Sequence, residues 1–256
     1  MNEAARPILE VQDLVKHYGG VRAVDGVSFT VDRGSITGLI GPNGAGKSTA
    51  LNVIGGFIPP SGGHVRFDGD DVTGKPMHEL ARRGLVRTFQ LARVFGNLTA
   101  LENLLVAVPR HPGETPLGIL AGRGYWGSEE RKLIIEARAL MKSFGMEGKE
   151  DEYGRNLSGG QRRAVETMRA LMMKPKLLLL DEPMAGLSPS LSRQLEEMFL
   201  KLRDEGLSLL LVEHELDTVE RVCGKVVVMA QGKVLSEGRM AELRTRRNVQ
   251  DAYVIG

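Results

Sequence analysis

The sequence predicts an α/β protein: a mixed-sheet core with an antiparallel β subdomain at its start and a helical subdomain in its middle. Three observations predict it. Residues 8–11 and 27–31 alternate apolar and polar side chains, and Gly19-Gly20 and Gly26 break the stretch that holds them, as between antiparallel strands. Residues 177–180 and 207–212 are apolar on both faces and each leads into a helical segment, the pattern of a parallel sheet flanked by helices. Residues 97–174, between these regions, have largely helical spacing.

In chain order, residues 35–40 form a strand that runs into a Gly-rich stretch, and residues 48–54 follow as a helix. Residues 64–67 form a strand leading to the turn Asp68-Gly69-Asp70. Helical spacing returns over 101–108 and 133–144, while 109–127 is rich in Gly and Pro and reads as a loop. The apolar runs then pair with helices at 191–205 and 215–222. Residues 226–229 and 233–236 close the chain as a hairpin over Gln231-Gly232. Residues 1–90 and 175–256 therefore read as the core with its antiparallel β part, and 91–174 as the helical part. There is no internal repeat.

The 256 residues suffice for a buried core, and 34 Lys+Arg against 32 Asp+Glu leave a formal charge of +2. Such a balance gives no global basic field for nucleic acid, so no nucleic-acid partner is expected. The opening residues have no basic-then-apolar leader, and no apolar run reaches the roughly 18 residues of a membrane span. The chain is expected to be neither exported nor integral. Cys223, the one cysteine, cannot form an internal disulfide and reads as a small buried apolar residue.

The spacing Gly41-x-x-x-x-Gly46-Lys47-Ser48, filled by Pro42, Asn43, Gly44 and Ala45, is that of a phosphate-binding loop between strand and helix. Its glycines allow successive backbone N–H groups to face a phosphate, and the following helix brings its positive end to the same place. Lys47 can bridge β- and γ-phosphates, and Ser48 can ligate Mg²⁺. Thr49 follows directly in the nucleotide-contacting set. Asp181-Glu182 closes the apolar run 177–180; an acidic pair there alone would be a helix cap. With a phosphate loop in the same chain it reads as hydrolytic: Asp181 holds Mg²⁺ through water and Glu182 polarises the attacking water.

Leu157-Ser158-Gly159-Gly160-Gln161 resembles the signature of the ATP-binding cassette (ABC) family, and it stands shortly before the Asp-Glu strand as in that family. A serine and two glycines at a helix start also make a good anion site. The resemblance implies a P-loop NTPase fold of the ABC ATPase type, a single nucleotide-binding domain over 1–256, and ATP with Mg²⁺. It further implies that Ser158, Gly159, Gly160 and Gln161 grip the γ-phosphate bound to a second ATPase subunit, the same chain or a paralogue, arranged head to tail. By the same resemblance Gln90 is the glutamine that contacts Mg²⁺ and reports to a membrane partner. His214 is the histidine on the γ-phosphate, and Tyr18 the ring against adenine. His17, His64, His78 and His111 match nothing and read as surface residues. Ala185-Gly186-Leu187-Ser188 departs from the family's Ser-Ala-Leu-Asp, so a cross-interface aspartate is missing; its role falls to Ser188 or backbone, or is lost.

Val86-Arg87-Thr88-Phe89-Gln90, the run from Phe95 to Ala107, the segment 109–127 and the ending Asn248 to Gly256 are similar to the ATPase subunits of branched-chain amino acid uptake systems. That subgroup implies membrane permeases as partners, an extracytoplasmic solute-binding protein behind them, and a place at the cytoplasmic face of the cell membrane. Residues 91–102 would receive a coupling helix from the permease. An ATPase of an exporter or lipid system remains the alternative. A soluble ABC ATPase is less well matched, since neither a long coiled coil nor a tandem cassette is present.

Overall fold

The computed structural model describes residues 6–88, 94–109 and 123–255. In chain order these form β1 (Leu9–Tyr18), β2 (Val21–Val31), β3 (Ile36–Ile40), α1 (Lys47–Ile54), β4 (Gly62–Phe67), β5 (Asp70–Asp71), α2 (Met77–Arg83) and β6 (Leu85–Arg87). Then come α3 (Ala100–Leu105), α4 (Arg123–Ser143), α5 (Gly159–Met172), β7 (Leu177–Asp181) and α6 (Pro189–Asp204). The chain closes with β8 (Ser208–Val212), α7 (Leu216–Val222), β9 (Lys225–Ala230), β10 (Lys233–Gly238), α8 (Met240–Leu243) and α9 (Arg247–Ile255). Contacts divide it into two units, one of Met1–Gln90, Lys176–Ala185 and Phe199–Gly256, the other of Leu91–Pro175 and Gly186–Met198.

The first unit holds two sheets. One is antiparallel in the order β2-β1-β4-β5; the other runs β10-β9-β3-β8-β7-β6, parallel except for the edge strand β10. Every residue of β3, β7 and β8 is buried, which is why the leucine-rich stretches of β7 and β8 show no alternation of apolar and polar residues. Leu39, Leu51, Ile54, Leu177, Leu179 and Leu210 meet the apolar faces of β1, β2 and β4 in one core. A second cluster joins Ile40, Val219, Val226 and Val228 to Met240, Leu243 and Val249, with Tyr253 packed against it.

Two strands differ from the sequence expectation. β1 continues to Tyr18 because Asp13 adopts φ 46 and bulges the strand, its amide donating to Ser28 Oγ at 2.8 Å and its carboxylate accepting from the same hydroxyl at 3.2 Å. Gly26 therefore lies inside β2 instead of ending it. Helix α2, which the apolar spacing does not reveal, is closed by Gly84 in the left-handed region at φ 98. The expected hairpin forms between β9 and β10, with both turn residues, Gln231 and Gly232, at positive φ.

In the second unit, Thr99 and Glu102 cap α3 reciprocally. Asn103 is fully buried and ties the preceding segment to the helix: its Oδ1 accepts from the Phe95 amide at 2.9 Å and its Nδ2 donates to the Phe95 carbonyl at 3.0 Å. The helix stops at Leu105, short of the expected residue 108, as the Ala107 and Val108 amides tighten to bonds three residues back, to the Leu104 and Leu105 carbonyls. α4 starts at Arg123, inside the stretch expected to be loop, and residues 110–122 lie outside the described residues.

A small surface network joins turns of the first unit: Asp68 accepts from Lys176 at 2.6 Å and from Arg33. Lys176 first and Arg33 second hold its carboxyl below the ordinary value of 3.8. A depressed carboxylate contributes stability that is complete above 3.8 and is lost as pH falls through the lower folded value. Asp68→Asn is therefore expected to lower stability by about 1 kcal/mol in urea unfolding, a figure discounted for its partial exposure. That deficit should be equal at pH 7 and pH 5 and shrink below 3.8. A deficit that persists unchanged into acid would remove the ion-pair explanation.

Candidate active site

The phosphate loop lies where the sequence puts it, between the buried strand β3 and α1. Its close neighbours dictate its glycines. A Cβ on Gly41 would sit 2.0 Å from the Met229 carbonyl oxygen, and one on Gly46 would sit 2.2 Å from the Ala23 carbonyl oxygen. Both contacts are with backbone, so neither side can give way cheaply. The hairpin turn braces the loop as well, with the Gly232 amide donating to the Ala45 carbonyl at 3.1 Å. Asn43, Gly44 and Ser48 are exposed and Thr49 is half-buried, so the open side of the loop and the first turn of α1 face outward together. Lys47 is buried, its ammonium donating to the Gly41 carbonyl at 2.8 Å and the Pro42 carbonyl at 3.0 Å. Burial pushes its pKa down, against the charges of Glu182 and Asp181.

Those two carboxylates stand at the end of β7. Asp181 is buried; Arg87 Nη2 donates to its Oδ2 at 3.0 Å, while its Oδ1 is enclosed and accepts no hydrogen bond from the described residues. Burial raises the Asp181 pKa, and the Arg87 guanidinium opposes that rise. The chemistry fits a magnesium–phosphate group: one hydroxyl, Ser48, one carboxylate with a spare buried oxygen, and the nucleotide's own oxygens are an ordinary Mg²⁺ donor set. Among the described residues there is no cluster of three or more His, Cys, Asp or Glu that would hold a metal without a nucleotide.

Glu182 adopts φ 48, a costly region for a residue with a side chain, with its amide donating to the Val212 carbonyl at 2.9 Å. This turn sends its carboxylate to His214, whose Nε2 lies 2.6 Å from Glu182 Oε1. With Glu182 ionised, that contact requires a proton on Nε2. Glu213, which the sequence reading passed over, is buried and fixes both partners: its Oε1 accepts from the Met184 amide at 3.0 Å and its Oε2 from the His214 amide at 3.2 Å. Burial raises its pKa.

The signature residues lie in the second unit. Ser158 accepts from the Gln161 amide at 3.3 Å, and Gln161 Oε1 accepts from the Ser158 amide at 2.9 Å, a capping box at the start of α5. Ser158 and Gly159 are exposed; Gly160 and Gln161 are half-buried. A Cβ on Gly160 would come within 2.6 Å of Leu191 Cδ2.

The remaining expectations are met unevenly. Tyr18, at the end of β1, exposes 51% of its surface, with Lys16 Nζ 5.3 Å from its ring centre. Gln90 lies outside the described residues, as does His111. His64 and His78 are exposed as expected, but His17 is half-buried with Nε2 enclosed by the β1 fold. Cys223 is half-buried, less enclosed than the sequence suggests, packed against the second apolar cluster, and burial of its thiol pushes it up to about 12. Tyr253, on α9, packs against the cluster that holds Ile40 at the end of the strand feeding the loop, and burial pushes its hydroxyl up to about 12.

A buried parallel sheet, a phosphate loop at the end of β3 and paired carboxylates at the end of β7 define a P-loop nucleoside-triphosphatase. The sequence profile of the ABC transporter family matches residues 24–185. The chain is 40% identical, over 96% of its length and 95% of the relative's, to a probable branched-chain amino acid transport ATP-binding protein of Archaeoglobus fulgidus. It is 36% identical, over 96% of each, to the lipopolysaccharide export system ATP-binding protein of Escherichia coli. Among solved structures it matches the ADP conformation of an ATP-binding cassette of an ABC transporter, with a TM-score of 0.82 at 36% identity over 98% of this chain and 99% of that one. The chain belongs to the ABC transporter family, as an ATP-binding, ATP-hydrolysing cassette.

The loop geometry predicts a graded response to alanine. At Gly44 (φ 78) an added Cβ meets nothing within 4 Å, so Gly44→Ala should cost only the backbone conformation, about 1–2 kcal/mol. Gly41→Ala must also displace the Met229 carbonyl and should cost clearly more. Thermal unfolding of both variants measures the difference, and equal losses would show that the loop is not wedged against β9.

Proposed function

We propose that this chain is the single nucleotide-binding domain, residues 1–256, that powers an importer for branched-chain amino acids or related small solutes. The observation that carries the hydrolytic part is the 2.6 Å contact between Glu182 and His214 beside the Lys47 loop. The relative from Archaeoglobus fulgidus supports the solute class.

In this reading the adenine stacks on the exposed Tyr18 ring, and residues 41–49 wrap the phosphates with their amides and the Lys47 ammonium. Ser48 and Gln90 would hold Mg²⁺, with Asp181 reaching it through water, and the ion would supply charge neutralisation at the phosphates. Ser158, Gly159, Gly160 and Gln161 of a second ATPase subunit close each site head to tail; the exposed serine and glycine at the start of α5 support this. Glu182 takes a proton from the attacking water, and His214 holds the γ-phosphate. Hydrolysis then removes the charge that joins the halves. Two such subunits sit under two membrane permeases, and residues 91–102 of each receive a permease coupling helix; the hold of Asn103 on the backbone of the exposed Phe95 supports this. An extracytoplasmic binding protein supplies the solute. The cassette works at the cytoplasmic face of the membrane, and among the described residues no helix is long and apolar enough to cross one.

A second reading, an ATPase of a lipid export system, is favoured by the lipopolysaccharide export relative. Copurification of the native complex separates the two by the presence or absence of a solute-binding protein. For either system, Glu182→Gln should lower ATP turnover by about 10²–10⁴-fold while preserving ATP binding. An ATP-bound dimer should then accumulate on gel filtration. Unchanged turnover in Glu182→Gln would sink the hydrolytic assignment.

A further inference from the structure

Arg87 is the residue of this site with no assigned purpose. It ends the three-residue strand β6, and its guanidinium is almost fully enclosed. Nη2 donates to Asp181 Oδ2 at 3.0 Å and Nη1 donates to Asn52 Oδ1, on the last turn of α1, at 2.5 Å. The side chain is confined from below too, since a Cβ on Gly55 would lie 3.1 Å from Arg87 Cδ. A planar fork gripped at both ends fixes the plane of the carboxylate it holds, which a flexible ammonium does not do. The two oxygens of Asp181 are thereby divided: Oδ2 is committed to Arg87, and Oδ1 is the one left without a partner among the described residues.

We propose that Arg87 is a positioning residue of the ATPase site, holding Asp181 through Oδ2 so that Oδ1 is presented to the hydrated Mg²⁺ of the nucleotide. Asn52 completes the device by fixing the other arm of the guanidinium, and so ties the carboxylate to the helix that starts with Lys47. The proposal rests on the reading that Asp181 serves the metal. A bare structural role for the pair predicts loss of stability alone. A positioning role predicts a change in metal affinity, since removing the hydrogen-bond partner of a metal-serving ligand typically costs about 10–100-fold.

The test is a Mn²⁺ titration of the ATP-loaded chain at low temperature, read from the free-ion electron paramagnetic resonance signal, with thermal unfolding measured in parallel. Arg87→Met should weaken Mn²⁺ binding by about 10–100-fold. Arg87→Lys should recover much of the unfolding temperature but little of the Mn²⁺ affinity, because one ammonium cannot reproduce the fork. Asn52→Ala, which leaves the Arg87–Asp181 pair intact, should shift affinity in the same direction by less, and it serves if Arg87→Met does not fold. Unaltered or tighter Mn²⁺ binding in folded Arg87 and Asn52 variants overturns the proposal. Asp181→Asn separates the two layers: if it too leaves Mn²⁺ binding unaltered, the metal reading of Asp181 fails; if it alone weakens binding, only the role of Arg87 fails.

Discussion

A carboxylate buried at the end of four leucines organises this protein. Each residue of β7 is enclosed, and Asp181 comes at the point where the strand leaves the core. An ion taken from water costs several kcal/mol unless partners surround it. Arg87 and Lys47 supply that compensation, one from β6 and one from the first residue of α1. The parallel pairing sets Arg87 beside Leu179, and the Thr88 amide continues the ladder to the Leu179 carbonyl at 3.0 Å. The short strand β6 is thus positioned by its charge as well as by Leu85 and Val86. Because the Lys47 charge acts on the same carboxylate, a costly burial and the chemistry of the phosphate loop fall at one place.

The next residue carries a different cost. Glu182 turns the chain through a left-handed conformation, and this strain is held by the hydrogen bond its amide donates to the Val212 carbonyl and by Glu213 accepting from the Met184 and His214 amides. Glu213 uses both of its oxygens on backbone donors, so the loops after β7 and β8 are fixed to one another without any contribution from the reacting side chains. Glu182 and His214 are left in contact, on a support that does not depend on them. The site is built as rigid backbone carrying a few polar side chains, which suits stabilisation of charge on a transferring phosphoryl group.

Features whose cause is local were legible in the sequence. The apolar runs of β7 and β8, the phosphate loop, the helix start at Ser158 and the Gln231-Gly232 turn each follow from neighbours within a few residues. Arg87, Asn52 and Glu213 were not legible, because a charged or polar residue at a strand end or in a helix ordinarily faces water, and only partners 29 to 94 positions away make burial tolerable. Tyr253 was missed for the same reason, being brought to the strand before Gly41 by packing in the second apolar cluster. The course of β1 past residue 11 depended on Asp13 accepting a left-handed turn opposite Ser28, a pairing that alternation alone cannot signal.

The departure at Ala185-Gly186-Leu187-Ser188 can be resolved for the chain itself. Ser188 Oγ accepts from the Leu191 amide at 3.4 Å and lies 3.1 Å from Ser190 Oγ, so it caps the start of α6 with Pro189 as the first helical residue. Leu187 and Leu191 lie beside Gly160, within 3.4 Å and 2.6 Å of where a Cβ would fall, so the loop and the signature helix meet through apolar contact. Serine and aspartate are about equally good helix caps. An aspartate at 188 could make the same bond to Leu191, and α6 would begin at the same place. What this sequence gives up at 188 is therefore a negative charge and not a structural element, and the apolar seat under Gly160 is independent of which of the two residues stands there.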